Sequence, residues 1–269
     1  IRGWAVASDG ITKVEVWIDG AYAFDAPYGG ERGDVGSAFP DVEDSANSGF
    51  SAAYNYSNLS AGTHSISAVA YTGGGETKES KKQFEVVRFA SFNVQNYLSC
   101  DRIVNGEWRP NYPKPEIEKK SLRSVIRSVN PDILALQEMG EYAHFLELWN
   151  DLNNTGGPYF SYGEWKPNRE EDEIRRLSVL SKYKPKEVKN FIDMPFNYFG
   201  NIEHSGRGLQ ELLFEINNQP FVVFNLHLKS MWTEREDDPQ ANIRREKEAR
   251  CFRDLIRKRW NSGNGINYL

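Results

Sequence analysis

The sequence has 269 residues, 39% of them apolar, and a formal net charge of −5. That length is about two domains' worth, the composition is that of an ordinary globular protein, and no apolar run approaches the roughly 18 residues of a membrane-spanning helix. The acidic balance argues against a protein that coats nucleic acid without specificity. Charge divides unevenly: residues 1–86 carry 6 basic and 12 acidic side chains, whereas the remainder is near neutral, with its basic residues gathered late, in residues 244–259. The two cysteines, Cys100 and Cys251, lie far apart and read as isolated thiols, since two cysteines make neither a disulfide framework nor a metal site. Ile1-Arg2-Gly3-Trp4 has no initiator Met and no signal peptide, and Ile1 reads as already inside a strand. The chain is therefore expected to be a piece of something longer at this end.

The first part reads as all-β. Residues 11–18 alternate apolar and polar and stop at Asp19-Gly20, a hairpin signal. Residues 50–54 follow a Gly-rich acidic loop, residues 64–71 form another strand with His64 at its exposed start, and residues 83–87 close the set. Short strands at regular spacing predict a small β-sandwich. The segments Gly-Trp-Ala-Val, Val-Glu-Val-Trp-Ile-Asp-Gly and Leu-Ser-Ala-Gly-Thr-His-Ser-Ile resemble bacterial immunoglobulin-like modules appended to secreted enzymes. The boundary is expected at residue 87, with almost no linker, so that the two modules lie closely apposed.

Beyond it, residues 89–94 read as a strand with Asn93 near its end, and a long loop follows with Trp108, Tyr112, Pro113 and Pro115. Pro115-Glu116 opens a helix with acids in its first turn, whose expected buried stripe is Leu122, Val125, Ile126 and Val129. Pro131-Asp132-Ile133-Leu134-Ala135-Leu136-Gln137-Glu138 is a short apolar run ending in an amide and a carboxylate. It reads as a buried central strand, and α/β proteins place ligands at the carboxyl ends of such strands. A carboxylate there is costly unless something cationic neutralises it, which makes Glu138 a candidate metal ligand. A helix over residues 141–153 is expected to bury Tyr142, Phe145, Leu146, Trp149 and Leu152 and to leave His144 in solvent. Strands over residues 159–165 and 177–181 flank a charged loop, residues 166–173, read as a solvated turn. Residues 208–216 and 221–230 form a hairpin, and residues 243–260 a last helix. Paired strands interleaved with helices suggest a two-layer sheet core covered by helices.

Alternation along the second hairpin strand puts Val222, Phe224, Leu226 and Leu228 on one face and Val223, Asn225, His227 and Lys229 on the other. An amide, an imidazole and an ammonium on one face suggest an anion site, with phosphate the natural guest.

Four segments, Phe92-Asn93-Val94-Gln95-Asn96-Tyr97, residues 131–138, Leu177-Ser178-Val179-Leu180-Ser181-Lys182-Tyr183 and Asn225-Leu226-His227-Leu228-Lys229-Ser230, occur in this order. With the helix around Arg244-Arg245-Glu246-Lys247-Glu248-Ala249-Arg250, they resemble the endonuclease/exonuclease/phosphatase superfamily, the deoxyribonuclease-I-like fold, over residues 88–269. The resemblance implies an α+β chain: an immunoglobulin-like β-sandwich over residues 1–87, then a four-layer α/β sandwich with two mixed sheets. It implies a Mg2+-dependent (or Mn2+-dependent) phosphodiester hydrolase. Carried over, Glu138 and Asn93 would hold the metal, Gln137 would support Glu138 from behind, and His227 would bond the phosphate or move a proton. Asn225, Lys229 and Arg207 would contact phosphate. His204 is expected to be incidental. Members of the family carry a Gly-Asp-x-Asn motif and an Asp-His pair further on, which this sequence lacks. Gly263-Asn264-Gly265-Ile266-Asn267-Tyr268-Leu269 resembles the start of the strand before the first motif. The expectation is thus a C-terminally truncated domain with an incomplete metal site, little activity by itself and an open sheet edge. The substrate implied is a phosphate ester, nucleic acid first, and the protein is expected to be bacterial and secreted or on the cell surface, its first module binding a surface or another domain. Two alternatives stay open: a catalytically inactive adhesion or interaction protein, and a lipid or inositol-phosphate phosphatase.

Overall fold

The computed structural model describes residues 1–169, 174–262 and 266–269. The chain divides into two compact units, Ile1–Val86 and Val87–Leu269. No helix among the described residues is long and apolar enough to cross a membrane.

The first unit is a β-sandwich. Its first strands are β1 (Arg2–Trp4), which belongs to the smaller sheet, and β2 (Ile11–Ile18) and β3 (Ala21–Ala26), which form the hairpin around Asp19-Gly20. After β4 (Tyr28–Gly30), the acidic segment is not all loop but forms a short helix, α1 (Gly33–Ala38). Then come β5 (Gly49–Ser51), β6 (Gly62–Thr72) and β7 (Thr77–Val86). The two sheets run β3-β2-β6-β7 and β1-β5-β4. Val14, Val16 and Ile18 of β2 pack with Ala26, Phe50 and Ala70 to form the core between them. His64 is not the exposed residue expected. It is buried, with Nδ1 2.6 Å from Asp19 Oδ2 and Nε2 2.8 Å from the Ser60 carbonyl, and the Asp19 carboxylate holds its pKa above the ordinary value.

The second unit has four layers. Its strands and helices are β8 (Phe89–Tyr97), β9 (Cys100–Val104), β10 (Glu107–Tyr112), α2 (Glu116–Val129), β11 (Ile133–Met139) and α3 (Tyr142–Asn154). They continue with β12 (Tyr162–Trp165), β13 (Arg176–Ser181), β14 (Glu187–Phe191), β15 (Pro195–Tyr198), β16 (Asn201–His204), β17 (Leu209–Ile216), β18 (Gln219–Leu226), α4 (Asn242–Ser262) and β19 (Asn267–Tyr268). One sheet runs β12-β13-β11-β8, the other β14-β17-β18-β19. Both are mixed: β8 and β11 are parallel, β18 and β19 are parallel, and the remaining pairs are antiparallel.

The apolar run of β11 serves both faces of its sheet. Leu134 and Leu136 pack with Leu122, Ile126, Phe145, Leu148 and Leu152 of α2 and α3. Ile133 and Ala135 pack with Val179, Leu212, Phe214 and Val223 between the sheets. Full burial of each large apolar side chain stabilises the fold by about 1.5–3 kcal/mol, so this strand is the axis of the unit. On the far side, Leu209, Phe224, Leu226 and Leu228 pack against Phe252, Leu255 and Ile256 of α4.

Three expectations are corrected. Val125 and Val129 of α2 are 47% and 39% exposed, and the inward stripe is Lys119, Leu122, Arg123 and Ile126. The two cations can turn inward because Glu147 and Asp151 of α3 pair with them. Tyr142 is exposed. The long loop after Asn93 is a β9–β10 hairpin whose turn, Asn105-Gly106, has left-handed φ at both positions (54° and 83°). In the C-terminal segment residues 263–265 lie outside the described residues, and Asn267–Tyr268 is a strand parallel to β18.

Candidate active site

β8 and β11 lie side by side and parallel, with Asn93 opposite Gln137. Past that pair the register breaks, and the next partners are Tyr97 and Met139. β8 thus carries two more residues than β11 at the same level, and such a bulge re-aims the side chains around it. Gln95 (φ 49°), Asn96 (φ 56°) and Glu138 (φ 62°) all take left-handed backbone. For a residue other than glycine this costs about 1–3 kcal/mol and persists only where the surroundings over-determine it. The surroundings do so here: the Asn96 N–H donates to Glu138 Oε2 at 3.0 Å, and the Gln95 N–H donates to Asn93 Oδ1 at 2.8 Å. Gly140 follows at once, where a Cβ would stand 2.5 Å from Leu98 Cβ, so only glycine lets the two strand ends close up.

The bulge turns Glu138 to the end of the sheet. Its side chain is 18% exposed, and Oε1 lies 3.8 Å from His227 Nε2. His227 is not inside a strand as expected: β18 ends at Leu226, and His227 is the next residue. Asn93 is exposed in the middle of the neighbouring strand, just before its bulge and paired with Gln137. Glu138 and His227, distant in sequence, therefore approach each other at one end of the paired sheets, with Asn93 on the adjoining strand.

The other expected contacts occupy different places. Asn225 is 2% exposed and lies between the sheets. Its Oδ1 accepts from Gln137 Nε2 at 2.8 Å, and its Nδ2 donates to the carbonyls of Leu136 and Ser178 and to Gln210 Oε1. Its amide is spent on locking the two sheets together under Glu138, not on presenting a phosphate contact. Alternation had placed it with Val223 correctly, but that face is interior. Gln137 Nε2 also donates to Ser91 Oγ at 3.1 Å. Lys229 turns along its own loop, with Nζ on Ser230 Oγ and the Trp232 carbonyl, while its N–H donates to Glu248 Oε2. Arg207 is buried, and its Nη1 donates to the Leu228 carbonyl at 2.7 Å, so it braces the backbone just after His227. His204 stands 2.6 Å from Asp193. His144 is half-buried against Gly140, where burial lowers its pKa, and is not the solvated residue expected.

Sequence reasoning missed Asn96, Arg102, Arg175 and Lys166. Arg102 Nη2 donates to the carbonyls of Asn96 and Leu98, and Arg175 Nε donates to Asn96 Oδ1. Lys166 opens the loop read as solvated, of which residues 170–173 lie outside the described residues. It is fully buried, its Nζ donating to the carbonyls of Pro167 and Arg207 at 3.0 and 2.8 Å. Gly208 (φ +61°) makes room, since a Cβ there would stand 2.1 Å from the Phe191 carbonyl oxygen and 3.0 Å from Nζ. Burial lowers the Lys166 pKa from 10.5 to about 8. The folded protein therefore binds fewer protons than the unfolded chain between those values, so this group's contribution to stability rises with pH across the window and is flat below it. Lys166→Met is expected to flatten that part of the profile, measured as urea-unfolding stability between pH 7 and about 10.5. An unchanged slope would show that the ammonium is solvated.

The residues that meet here are oxygen donors, Glu138 and Asn93, beside one imidazole. Among the described residues no group of three or more His, Cys, Asp or Glu side chains is placed to hold a metal ion. One carboxylate with amide oxygen suits Mg2+, which keeps most of its water and is completed by substrate phosphate, better than it suits the closed cages of Zn2+ or Ca2+.

The Endonuclease/Exonuclease/phosphatase family model matches residues 90–257. The chain belongs to that family. A Bacterial Ig domain model matches residues 1–68. No curated protein matches the chain. Among solved structures, this family member is similar to an endonuclease/exonuclease/phosphatase family protein from Leptotrichia buccalis, at 14% identity over 63% of this chain and 61% of that one, with a TM-score of 0.41. It is similar to a beta toxin mutant from Staphylococcus aureus with bound magnesium ions, at 16% identity over 64% and 59%, with a TM-score of 0.41. Sphingomyelinase C from Streptomyces griseocarneus is 14% identical over 68% and 62%, with a TM-score of 0.42. The chain spans about three fifths of the length of the solved structures it matches.

Proposed function

We propose that the protein is a Mg2+-dependent phosphodiester hydrolase acting on nucleic acid, exported with its Ig domain as a surface-binding or domain-binding module. The observation that carries this reading is the bulged, left-handed Glu138 with its free edge 3.8 Å from His227 Nε2 and Asn93 on the next strand. Glu138 and Asn93 would hold the ion, and the bound ion supplies charge that polarises a phosphoryl oxygen and stabilises the leaving oxygen. His227 Nε2 donates a hydrogen bond to a phosphate oxygen or moves a proton at that atom. Arg207 fixes the backbone that carries the imidazole, and the Gln137–Asn225 pair fixes the strand that carries the carboxylate. The Gly-Asp-x-Asn motif and the Asp-His pair do not occur among these 269 residues, so no step is assigned to them.

Nucleic acid is favoured over a lipid headgroup by α4. That helix carries eight basic and three acidic residues, and its Glu248 Oε2 accepts the N–H of Lys229, two residues beyond His227. A concentration of cations beside a phosphate site suits a substrate with many phosphates. The test is hydrolysis by the full-length protein, with Mg2+ and with chelator, of plasmid DNA, sphingomyelin vesicles and inositol phosphates. Chelator-sensitive cleavage of DNA above the other two is expected. Preference for sphingomyelin or inositol phosphate would overturn the nucleic-acid reading, and hydrolysis of none of the three would favour an interaction protein.

A further inference from the structure

The strained level that carries Glu138 is held by cations that touch neither the carboxylate nor the space in front of it. Lys114 Nζ donates to the Gln95 carbonyl at 2.8 Å, and Arg175 Nε to Asn96 Oδ1 at 2.7 Å. Arg102 does most, with Nη2 bridging the carbonyls of Asn96 (2.6 Å) and Leu98 (2.7 Å) while Nε donates to the Tyr112 carbonyl at 3.1 Å. Lys114 thus holds the carbonyl of the peptide whose N–H binds Glu138 Oε2, and Arg102 holds the carbonyl on the other side of Asn96, so the backbone of this left-handed residue is fixed at both ends. Three left-handed residues in contact, at about 1–3 kcal/mol each, relax toward ordinary backbone once the clamp is removed. The Asn96 N–H then leaves Glu138, and the carboxylate gains rotamers in which Oε1 no longer faces His227.

We propose that Arg102 is a positioning residue for Glu138, acting through the backbone conformation of Asn96. Only a guanidinium presents a rigid fork able to hold two neighbouring carbonyls and a third on the facing strand. A lysine in its place reaches them with a single point charge. Because Arg102 belongs to β9, the β9–β10 hairpin is tied to the Asn96 backbone as well. The inference rests on the reading of Glu138 as a metal ligand.

The test compares the chain with its Arg102→Gln, Arg102→Lys, Glu138→Gln and Arg102→Gln/Glu138→Gln variants. Two readouts are taken: amide hydrogen exchange at Asn96 and affinity for Mn2+ as the probe ion. Arg102→Gln is expected to lower protection of the Asn96 amide by roughly tenfold while the core amides of β11 keep theirs. It is expected to weaken Mn2+ binding by about tenfold, with partial recovery in Arg102→Lys and no further loss when added to Glu138→Gln. An Asn96 amide that stays protected overturns the proposal whatever the metal does. Lost protection with unchanged Mn2+ affinity also overturns it, provided Glu138→Gln weakens binding. If Glu138→Gln leaves Mn2+ binding unchanged, the metal reading itself has failed and the proposal falls with it.

Discussion

Glu138→Gln is expected to reduce Mg2+-dependent phosphodiester cleavage by the full-length protein roughly a hundred- to thousandfold, with little change in folding. The substitution keeps the shape of the side chain, and the amide oxygen can still accept the Asn96 N–H. What it removes is the charge. Glu138 is the one carboxylate that the described residues bring to this end of the sheets beside His227. A hard cation held by one carboxylate, water and substrate depends on that charge. Metal polarisation of a phosphoryl group is worth several kcal/mol, which at about 1.4 kcal/mol per decade gives the stated loss. The loss should appear as weaker Mg2+ dependence, with half-saturation moved to higher metal concentration. A variant with unchanged cleavage and unchanged metal dependence would remove Glu138 from the site.

His227→Ala should lower kcat by about 10^2–10^4-fold, the range for a group that bonds or moves a proton in the transition state. KM should change little, because substrate charge is met chiefly by the metal and by cations elsewhere. The imidazole follows the last residue of β18, with the Leu228 carbonyl behind it held by Arg207. Removing the ring therefore leaves the backbone in place, and thermal unfolding should move little. Lys229→Ala is the useful contrast. Its ammonium bonds Ser230 and the Trp232 carbonyl along its own loop, so its loss should cost far less than that of His227. Equal losses for the two would mean that the loop as a whole, not the imidazole, is what matters.

Much of this arrangement was legible in the sequence, for reasons that differ by residue. The run ending in Gln137-Glu138 announces a buried strand with a polar end, because apolar length and flanking turn residues are local properties. The alternation of β18 also held: Val223 and Asn225 face one way, Phe224 and Leu226 the other. What one strand cannot reveal is whether its polar face meets water or a second sheet. Asn225 meets a sheet. The same limit explains Lys166, whose burial is made possible by the Arg207 carbonyl and by Gly208, 41 and 42 positions later. It also explains Lys119 and Arg123, which turn inward on α2 because acids of α3 await them.

The bulge under Glu138 was hidden for a related reason. Left-handed backbone at Gln95, Asn96 and Glu138 is not a preference of Gln or Glu. It is imposed by the mismatch of β8 with β11 and by the cations that hold the result. The one local hint was Asn96, since asparagine tolerates this region better than most residues. The β9–β10 hairpin had a plainer signal in Asn105-Gly106, obscured by a second strand that is exposed throughout and so carries no apolar alternation.

The measurement closest to the central claim is paramagnetic broadening by Mn2+ in the 15N spectrum of the chain. The account predicts that substoichiometric Mn2+ broadens the amides of Asn93, Asn96, Glu138 and His227 first, and that Glu138→Gln abolishes this selectivity. Broadening confined to the acidic first unit, around Asp34, Asp41 and Glu43, with the residues of the β8 and β11 ends untouched, would contradict it.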